Sequence, residues 1–241
     1  MAVERALTAS VARDREAGRL EYGAREESLR ATTEFPDDPV PWLCLLALAS
    51  LDPKQRHQEH RYPTSEWMLP PGPWRLFDEA VRRDGLNREA HHRMLRYWQV
   101  VYSPAATDFV LSVMPRVPPG SPLAALPLYL SVEQYRRTPR KDAVRRQWLH
   151  EVHFTRAAMA YESWCAAPTR EPWPVVDLSY LAHALWASAQ MGRAVEVFEA
   201  LGPLASPQPW IYVADSPDRA GDFMETARTQ AYAGRATAMA W

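Results

Sequence analysis

Apolar residues recur at helical spacing along almost the whole chain. They return every three or four positions, which places them on one face of an α-helix, and no segment shows sustained alternation with β-branched residues. The pattern predicts helices near residues 3–34, 39–51, 73–84, 88–101, 105–115, 122–137, 140–166, 175–190, 193–201 and 217–233. We therefore expect an all-α protein.

Individual residues refine this helix prediction. The first helix is expected to break near Gly18 or Gly23, and Asn87 has the side chain of a good N-cap for the fourth helix. Pro127 is expected to kink the sixth helix, because a proline inside a helix removes a backbone hydrogen bond. Gly192 is expected to form the tight turn between the eighth and ninth helices.

Two stretches fit the tetratricopeptide pattern, a helix–turn–helix unit of 34 residues. In the clearer one, from Val176 to Leu201, two helices offer small and large apolar residues to each other. These are Leu178, Leu181, Ala182, Leu185, Ala194, Phe198 and Leu201. In the weaker one, which begins at Phe77, Pro119 follows Gly85 at the repeat period of 34 residues.

The matches predict a compact, tetratricopeptide-like array of antiparallel helix pairs. Because stacked pairs share one continuous core, residues 1–241 are expected to form a single domain. Residues 52–72, which are rich in proline, histidine and charge, separate two helices that a short connection would normally join. We interpret them as an inserted polar loop.

Three segments carry a resemblance to a known family. Asp37 to Trp42, Asn87 to Leu95, and Pro119 to Leu123 resemble an uncharacterised family of actinobacterial all-helical proteins related to tetratricopeptide repeats. The resemblance covers roughly residues 30–137. It implies a helical-repeat fold, and it carries no activity or site residues over to this chain.

Charge and cysteine content limit the classes of partner and the cellular compartment that we expect. The chain has 28 basic and 29 acidic residues, a net charge of −1, which argues against nucleic acid or a membrane surface as partner. The longest apolar run, residues 40–51, is too short to span a bilayer, and the charged N-terminal residues do not fit a signal peptide. Cys44 and Cys165 form no redox or zinc motif, so we expect a cytoplasmic protein.

The first candidate site is the loop at 52–72. We select His57, Glu59 and His60 as candidate catalytic residues, with Glu59 orienting one of the imidazoles as a general base. Arg61 would bind an anion. The alternative is a solvated polar loop without chemistry.

The second candidate site is a polar and aromatic stripe on two helices. On the fourth helix, positions i, i+4 and i+7 are His92, Arg96 and Gln99. The same register in the later hairpin selects Ser179, His183 and Trp186. In a tetratricopeptide array these faces line the concave groove, so we expect His92 and His183 to face one recess; ordinary exposure to solvent is the alternative.

Metal and cofactor signatures are weak. His150 and His153 at i and i+3 would supply only half of a metal site, and a charged surface face is the better interpretation. The chain has no phosphate-binding loop, dinucleotide fingerprint, nucleophile elbow or HExxH motif. We therefore predict neither a metal nor a cofactor.

Two functions follow from these residues. The first is a helical-repeat binding protein that takes a protein partner or a small ligand in its concave groove, alone or as part of a homo- or hetero-oligomer. The second is a cofactor-independent tailoring enzyme of secondary metabolism that performs an elimination or an intramolecular ring closure. In the enzyme, the loop at 52–72 would act as a lid, its His and Glu side chains would remove a proton, and Arg61 or Arg96 would hold a leaving anion.

Overall fold

The computed structural model describes residues 2–65, 69–138, 145–166 and 173–238. These residues form α-helices and short 3₁₀ turns, with one isolated β-bridge between Tyr62 and Gly72 and no β-strand among them. The predicted all-α class is therefore confirmed. The backbone forms two compact units, residues 1–115 and 116–241. A single cooperative domain stays a prediction.

Six α-helices are described in the first unit. They are α1 (Ala2–Val11), α2 (Ala17–Glu34), α3 (Val40–Ala49), α4 (Trp74–Arg83), α5 (Arg88–Val101) and α6 (Ser103–Val113). The N-cap prediction for α5 is confirmed, because the side chain of Asn87 accepts a hydrogen bond of 2.8 Å from the N–H of Ala90.

The break in the first helix lies earlier than predicted. The chain leaves α1 at residues 12–16, where Arg13 has a φ of +55° and the N–H of Asp14 donates to the carbonyl of Ala9. This is the hydrogen-bond pattern of a helix C-terminus closed by a left-handed residue. Gly18 and Gly23 lie inside α2, since a helix tolerates single glycines at a modest cost.

Aromatic rings form a compact cluster in the first unit. The ring of Trp74 lies 5.8 Å from that of Trp98 and 6.2 Å from that of Phe109. The imidazole of His91 packs edge-on against Phe77 at 5.1 Å, and its Nδ1 lies 2.8 Å from the carbonyl oxygen of Asn87. These contacts fix α4, α5 and α6 against one another.

Another six α-helices are described in the second unit. They are α7 (Leu126–Arg137), α8 (Glu151–Cys165), α9 (Val175–Ala187), α10 (Met191–Leu201), α11 (Trp210–Val213) and α12 (Ala220–Ala238). Residues 140–144, at the start of the predicted helix 140–166, lie outside the described residues. Pro127 does not kink a long helix. A 3₁₀ turn over Pro122–Ala125 ends just before α7, so Pro127 is the second residue of that helix, where proline is tolerated.

The helix pair α9–α10 is the best-predicted part of the fold. All seven apolar residues named for this hairpin are buried. The turn is placed differently, because residues 188–190 connect the helices and Ala189 takes the left-handed conformation at a φ of +62°. Gly192 is the second residue of α10.

Two later elements cover the face of α9 that carries Ser179 and Trp186. The indole Nε1 of Trp210, on the short helix α11, donates a hydrogen bond of 2.8 Å to the hydroxyl of Ser179. Phe223, on α12, packs against Trp186 with ring centroids 5.5 Å apart. The predicted pattern contained no α11, since four residues between prolines carry no helical period.

Candidate functional site

A cavity of about 400 Å³ lies within the second unit, beside α9. Its wall is formed by helices α7, α9, α10, α11 and α12 and by the 3₁₀ turn Arg145–Leu149, which precedes α8. The described residues that line it are uncharged, and most are aromatic or aliphatic. They are Tyr135, Trp148, Leu149, His183, Trp186, Ala187, Ala189, Met191, Val213, Phe223 and Gln230. This size and lining are typical of a site for a small organic molecule.

His183 is the most unusual residue of this wall. It is 1% exposed, and its ring packs nearly perpendicular to Trp148 at 4.8 Å and to Trp210 at 5.4 Å. Its Nδ1 is buried and has no hydrogen-bond partner among the described residues. Buried polar atoms are nearly always satisfied, so an imidazole nitrogen in this state requires an explanation.

Burial also sets the charge of His183. Removal from water disfavours the charged imidazolium and lowers the pKa to about 3. The side chain is therefore neutral at physiological pH. A neutral imidazole carries one N–H donor and one acceptor nitrogen, and it can bond to a ligand in either role.

The second polar feature of the wall is a pair of residues on facing helices. Trp186 on α9 donates from Nε1 to the side-chain oxygen of Gln230 on α12, at 3.0 Å. Trp186 and Phe223 also contact each other, which holds the indole against α12. The wall near Trp186 is thereby fixed in position before any ligand arrives.

The structure brings two of the predicted binding residues to this cavity. His183 and Trp186 both line it. Ser179, which shares their register, is covered by Trp210 and is fully buried. Trp210 therefore covers Ser179, whereas His183 and Trp186 line the cavity. The concave groove expected along this stripe stays a prediction.

The other predicted stripe lies on α5, in the first unit. Along it the side chain of Arg96 is exposed and that of Gln99 is buried. Burial, with the nearby Arg88 guanidinium second, holds the pKa of His92 well below its usual value. The groove-facing position expected for His92, Arg96 and Gln99 stays a prediction. The recess shared with His183 stays a prediction.

The loop at 52–72 positions its charged residues differently from the expectation. Nδ1 of His60 lies 3.0 Å from a carboxylate oxygen of Asp52, and the same oxygen accepts from the backbone N–H of His57. Glu59, the predicted orienting carboxylate, pairs with the guanidinium of Arg25 on α2. Arg61 is exposed and donates to the carbonyl of Arg56 at 3.4 Å. Asp52 therefore takes the role expected of Glu59.

Burial shapes the titration of this pair. It lowers the pKa of His60, and the adjacent Asp52 carboxylate acts in the opposite direction without cancelling it. Burial raises the pKa of Asp52, but the N–H groups of Arg56 and His57 and the ring of His60 outweigh it, and the pKa lies below its usual value. The pair is a neutral imidazole held by a carboxylate, with both side chains about 4% exposed.

Hydrogen bonds join this loop to α5 and link its own two ends. The side chain of Gln55 donates to the hydroxyl of Tyr97 at 2.6 Å, and Tyr62 and Gly72 exchange two backbone hydrogen bonds of 2.9 Å. A Cβ at Gly72 would lie 2.6 Å from the indole of Trp98, so only glycine fits there without a shift. Residues 66–68 of the loop lie outside the described residues.

The histidines of the 140–166 segment do not share one environment. His150 is exposed, whereas Nδ1 of His153 lies 3.1 Å from the hydroxyl of Ser131. Burial lowers the pKa of His153 to about 4. Among the described residues no group of three or more His, Cys, Asp or Glu side chains could hold a metal ion.

Sequence reasoning missed several residues of these two sites. Trp148, Phe223 and Gln230 reach the cavity from segments distant in sequence, and no local spacing relates them to α9. Asp52 carried a usable signal, because it directly follows the apolar run 40–51 and precedes the histidines of the loop. Carboxylates at the end of a helix commonly accept hydrogen bonds from the following turn.

Comparison with known proteins gives no match to a protein-family model, a curated protein or a solved structure. None of the described helices has the length and apolarity needed to cross a membrane.

Proposed function

We propose that this chain binds a small, mostly apolar molecule in the cavity beside α9. The observation that carries the proposal is the buried Nδ1 of His183, a polar atom in an aromatic wall without a described partner. Leaving a buried polar group unpaired costs about 1–3 kcal/mol, and a bound ligand that pairs with it removes this cost. The volume of about 400 Å³ suits such a ligand.

A small ligand fits this face better than a peptide does. A tetratricopeptide-like groove binds peptides along an extended open surface. Here Trp210 covers Ser179, and Phe223 and Gln230 contact Trp186, so the face of α9 is closed except for the cavity. We propose that α9 and α10 form a degenerate tetratricopeptide-like pair whose groove is filled by α11 and α12.

Filling the cavity tests this function. We expect Ala187→Phe, which adds a ring to the wall, to weaken binding of the apolar probe benzofuran by at least about tenfold, because the space is occupied. The control is Ala200→Phe, on the exposed side of α10, which should bind benzofuran as the unmodified protein does. The measurement is the dissociation constant from a ligand-observed NMR titration. Equal affinities for both variants, or no binding by the unmodified protein, would refute the proposal.

The buried Asp52–His60 pair supports a second candidate, the cofactor-independent acid–base enzyme. A carboxylate 3.0 Å from Nδ1 orients an imidazole so that its other nitrogen can accept a proton. His60 has a lowered pKa, which keeps it in the neutral, proton-accepting form. We propose that Arg61 or Arg96 holds the leaving anion.

This enzyme is tested with small substrates that carry an acidic C–H next to a carboxylate or phosphate leaving group. We expect turnover that His60→Gln lowers by about 10²-fold or more, as removal of a general base does. His150→Gln is the control, because it changes an exposed histidine of the second unit. Equal turnover by the protein and by His60→Gln, measured by mass spectrometry, would exclude His60 as the base.

A further inference from the structure

We infer that the ligand of the α9 cavity is an uncharged, flat aromatic molecule that donates an N–H or O–H hydrogen bond to Nδ1 of His183. The inference rests on the proposed function and narrows it to a chemical class. It follows from the bonding state of His183, the charge of the wall and the shape of its side chains.

The bonding state of His183 selects a donor on the ligand. The neutral ring holds one proton, on either Nδ1 or Nε2. A buried N–H without an acceptor is rarer in proteins than a buried acceptor without a donor. Because Nδ1 has no described acceptor near it, the proton is better placed on Nε2. Nδ1 is then an acceptor that a ligand N–H or O–H can satisfy.

The charge of the wall selects an uncharged ligand. Apart from His183, none of the described residues that line the cavity is acidic or basic, and burial keeps His183 neutral at physiological pH. A buried carboxylate or ammonium without a counter-charge is strongly unfavourable. An anion would find no cation in this wall, and a cation would find only aromatic faces.

The shape of the wall selects an aromatic ligand. Trp148, Trp186 and Phe223 present rings from three separate elements, and Met191 adds a thioether. Aromatic rings prefer offset-stacked or edge-to-face partners, which a flat ring system provides. Such a cage can also hold a quaternary ammonium ion by cation–π attraction, and this is the competing ligand class.

Four probes separate these possibilities. Indole is flat and uncharged and donates an N–H, and benzofuran has the same shape without the donor. Indole-3-carboxylate adds a negative charge, and phenyltrimethylammonium is cationic. We expect indole to bind about tenfold more tightly than benzofuran, the value of one hydrogen bond, and more tightly than either charged probe. Dissociation constants come from ligand-observed NMR titrations on the full chain.

The variant His183→Leu assigns the hydrogen bond. We expect it to lose the preference for indole, so that indole and benzofuran bind this variant with equal affinity. A preference that persists in this variant would overturn the assignment to His183. If the variant does not fold, the ratio of indole to benzofuran affinity in the unmodified protein decides alone.

The remaining outcomes distinguish this inference from the proposed function. Equal binding of indole and benzofuran would overturn the donor but leave a cavity that binds apolar molecules. Tighter binding of either charged probe than of indole would overturn the uncharged class. Absence of binding by all four probes would overturn both the inference and the proposed function.

Discussion

Replacing Trp210 with alanine should lower the free energy of unfolding by about 3–5 kcal/mol, the range for removal of a large buried aromatic side chain. Trp210 is 1% exposed, and its ring packs against His183, Phe198 and Phe223 at centroid distances of 5.4–6.4 Å. The substitution leaves a void in the second unit. It also removes the donor that satisfies the buried hydroxyl of Ser179. Chemical unfolding followed by circular dichroism measures the change.

Two variants show the origin of this loss. Trp210→Phe keeps a ring but not the N–H. It should lower the free energy of unfolding by less than Trp210→Ala does, but by more than a substitution at the surface. Tyr232→Ala removes an aromatic side chain that is 43% exposed on α12, and it should change the stability by no more than about 0.5 kcal/mol. A loss below about 1 kcal/mol for Trp210→Ala would show that α11 is not part of the packed core.

Lowering the pH from 7 to 5 should destabilise the protein by about 2 kcal/mol through His183 alone. The unfolded chain binds a proton at the ordinary histidine pKa of 6.5, whereas the folded chain binds one only near pH 3. Between these values the unfolded state holds more protons, so acid favours it. The stabilising term is complete above the unfolded pKa and is lost as the pH falls towards the folded one. His153, with its pKa lowered to about 4, acts in the same direction.

The test is urea unfolding at both pH values for three proteins. His183→Leu cannot take up this proton. Between pH 7 and 5 its free energy of unfolding should therefore fall by about 2 kcal/mol less than that of the unmodified protein. His150→Leu, which replaces an exposed histidine of the same unit, should keep the pH dependence of the unmodified protein. An unchanged pH dependence in His183→Leu would show that the imidazole is not buried as described.

The helices of this fold were predictable where a long apolar period was present. The α9–α10 hairpin shows this, because every apolar residue named for it is buried. Short segments carry no such period, so α11 was missed although Trp210 is among the most buried residues. The sequence predicts the turn before α10 at Gly192, whereas Ala189 takes the left-handed conformation there.

The two sites were predictable only in part, for the same physical reason. The register of α9 selected His183 and Trp186, since residues on one helix face follow a fixed spacing. The partners that turn this face into a cavity, Trp148, Phe223 and Gln230, come from distant segments, and their position depends on tertiary packing. In the loop at 52–72, proximity in sequence predicts Glu59 as the carboxylate that orients His57 or His60. Asp52 takes that place because Glu59 pairs with Arg25 on α2.

Nitrogen NMR of histidine-labelled protein tests most directly whether the cavity beside α9 is a binding site built around His183. At about pH 6 we expect a neutral imidazole, because burial lowers its pKa far below this value. We expect its proton on Nε2, because the buried Nδ1 has no acceptor among the described residues. Adding indole should move the Nδ1 resonance of His183 in the unmodified protein and leave it unchanged in Ala187→Phe. A protonated ring at this pH, or an Nδ1 resonance that does not respond to indole, would contradict the account.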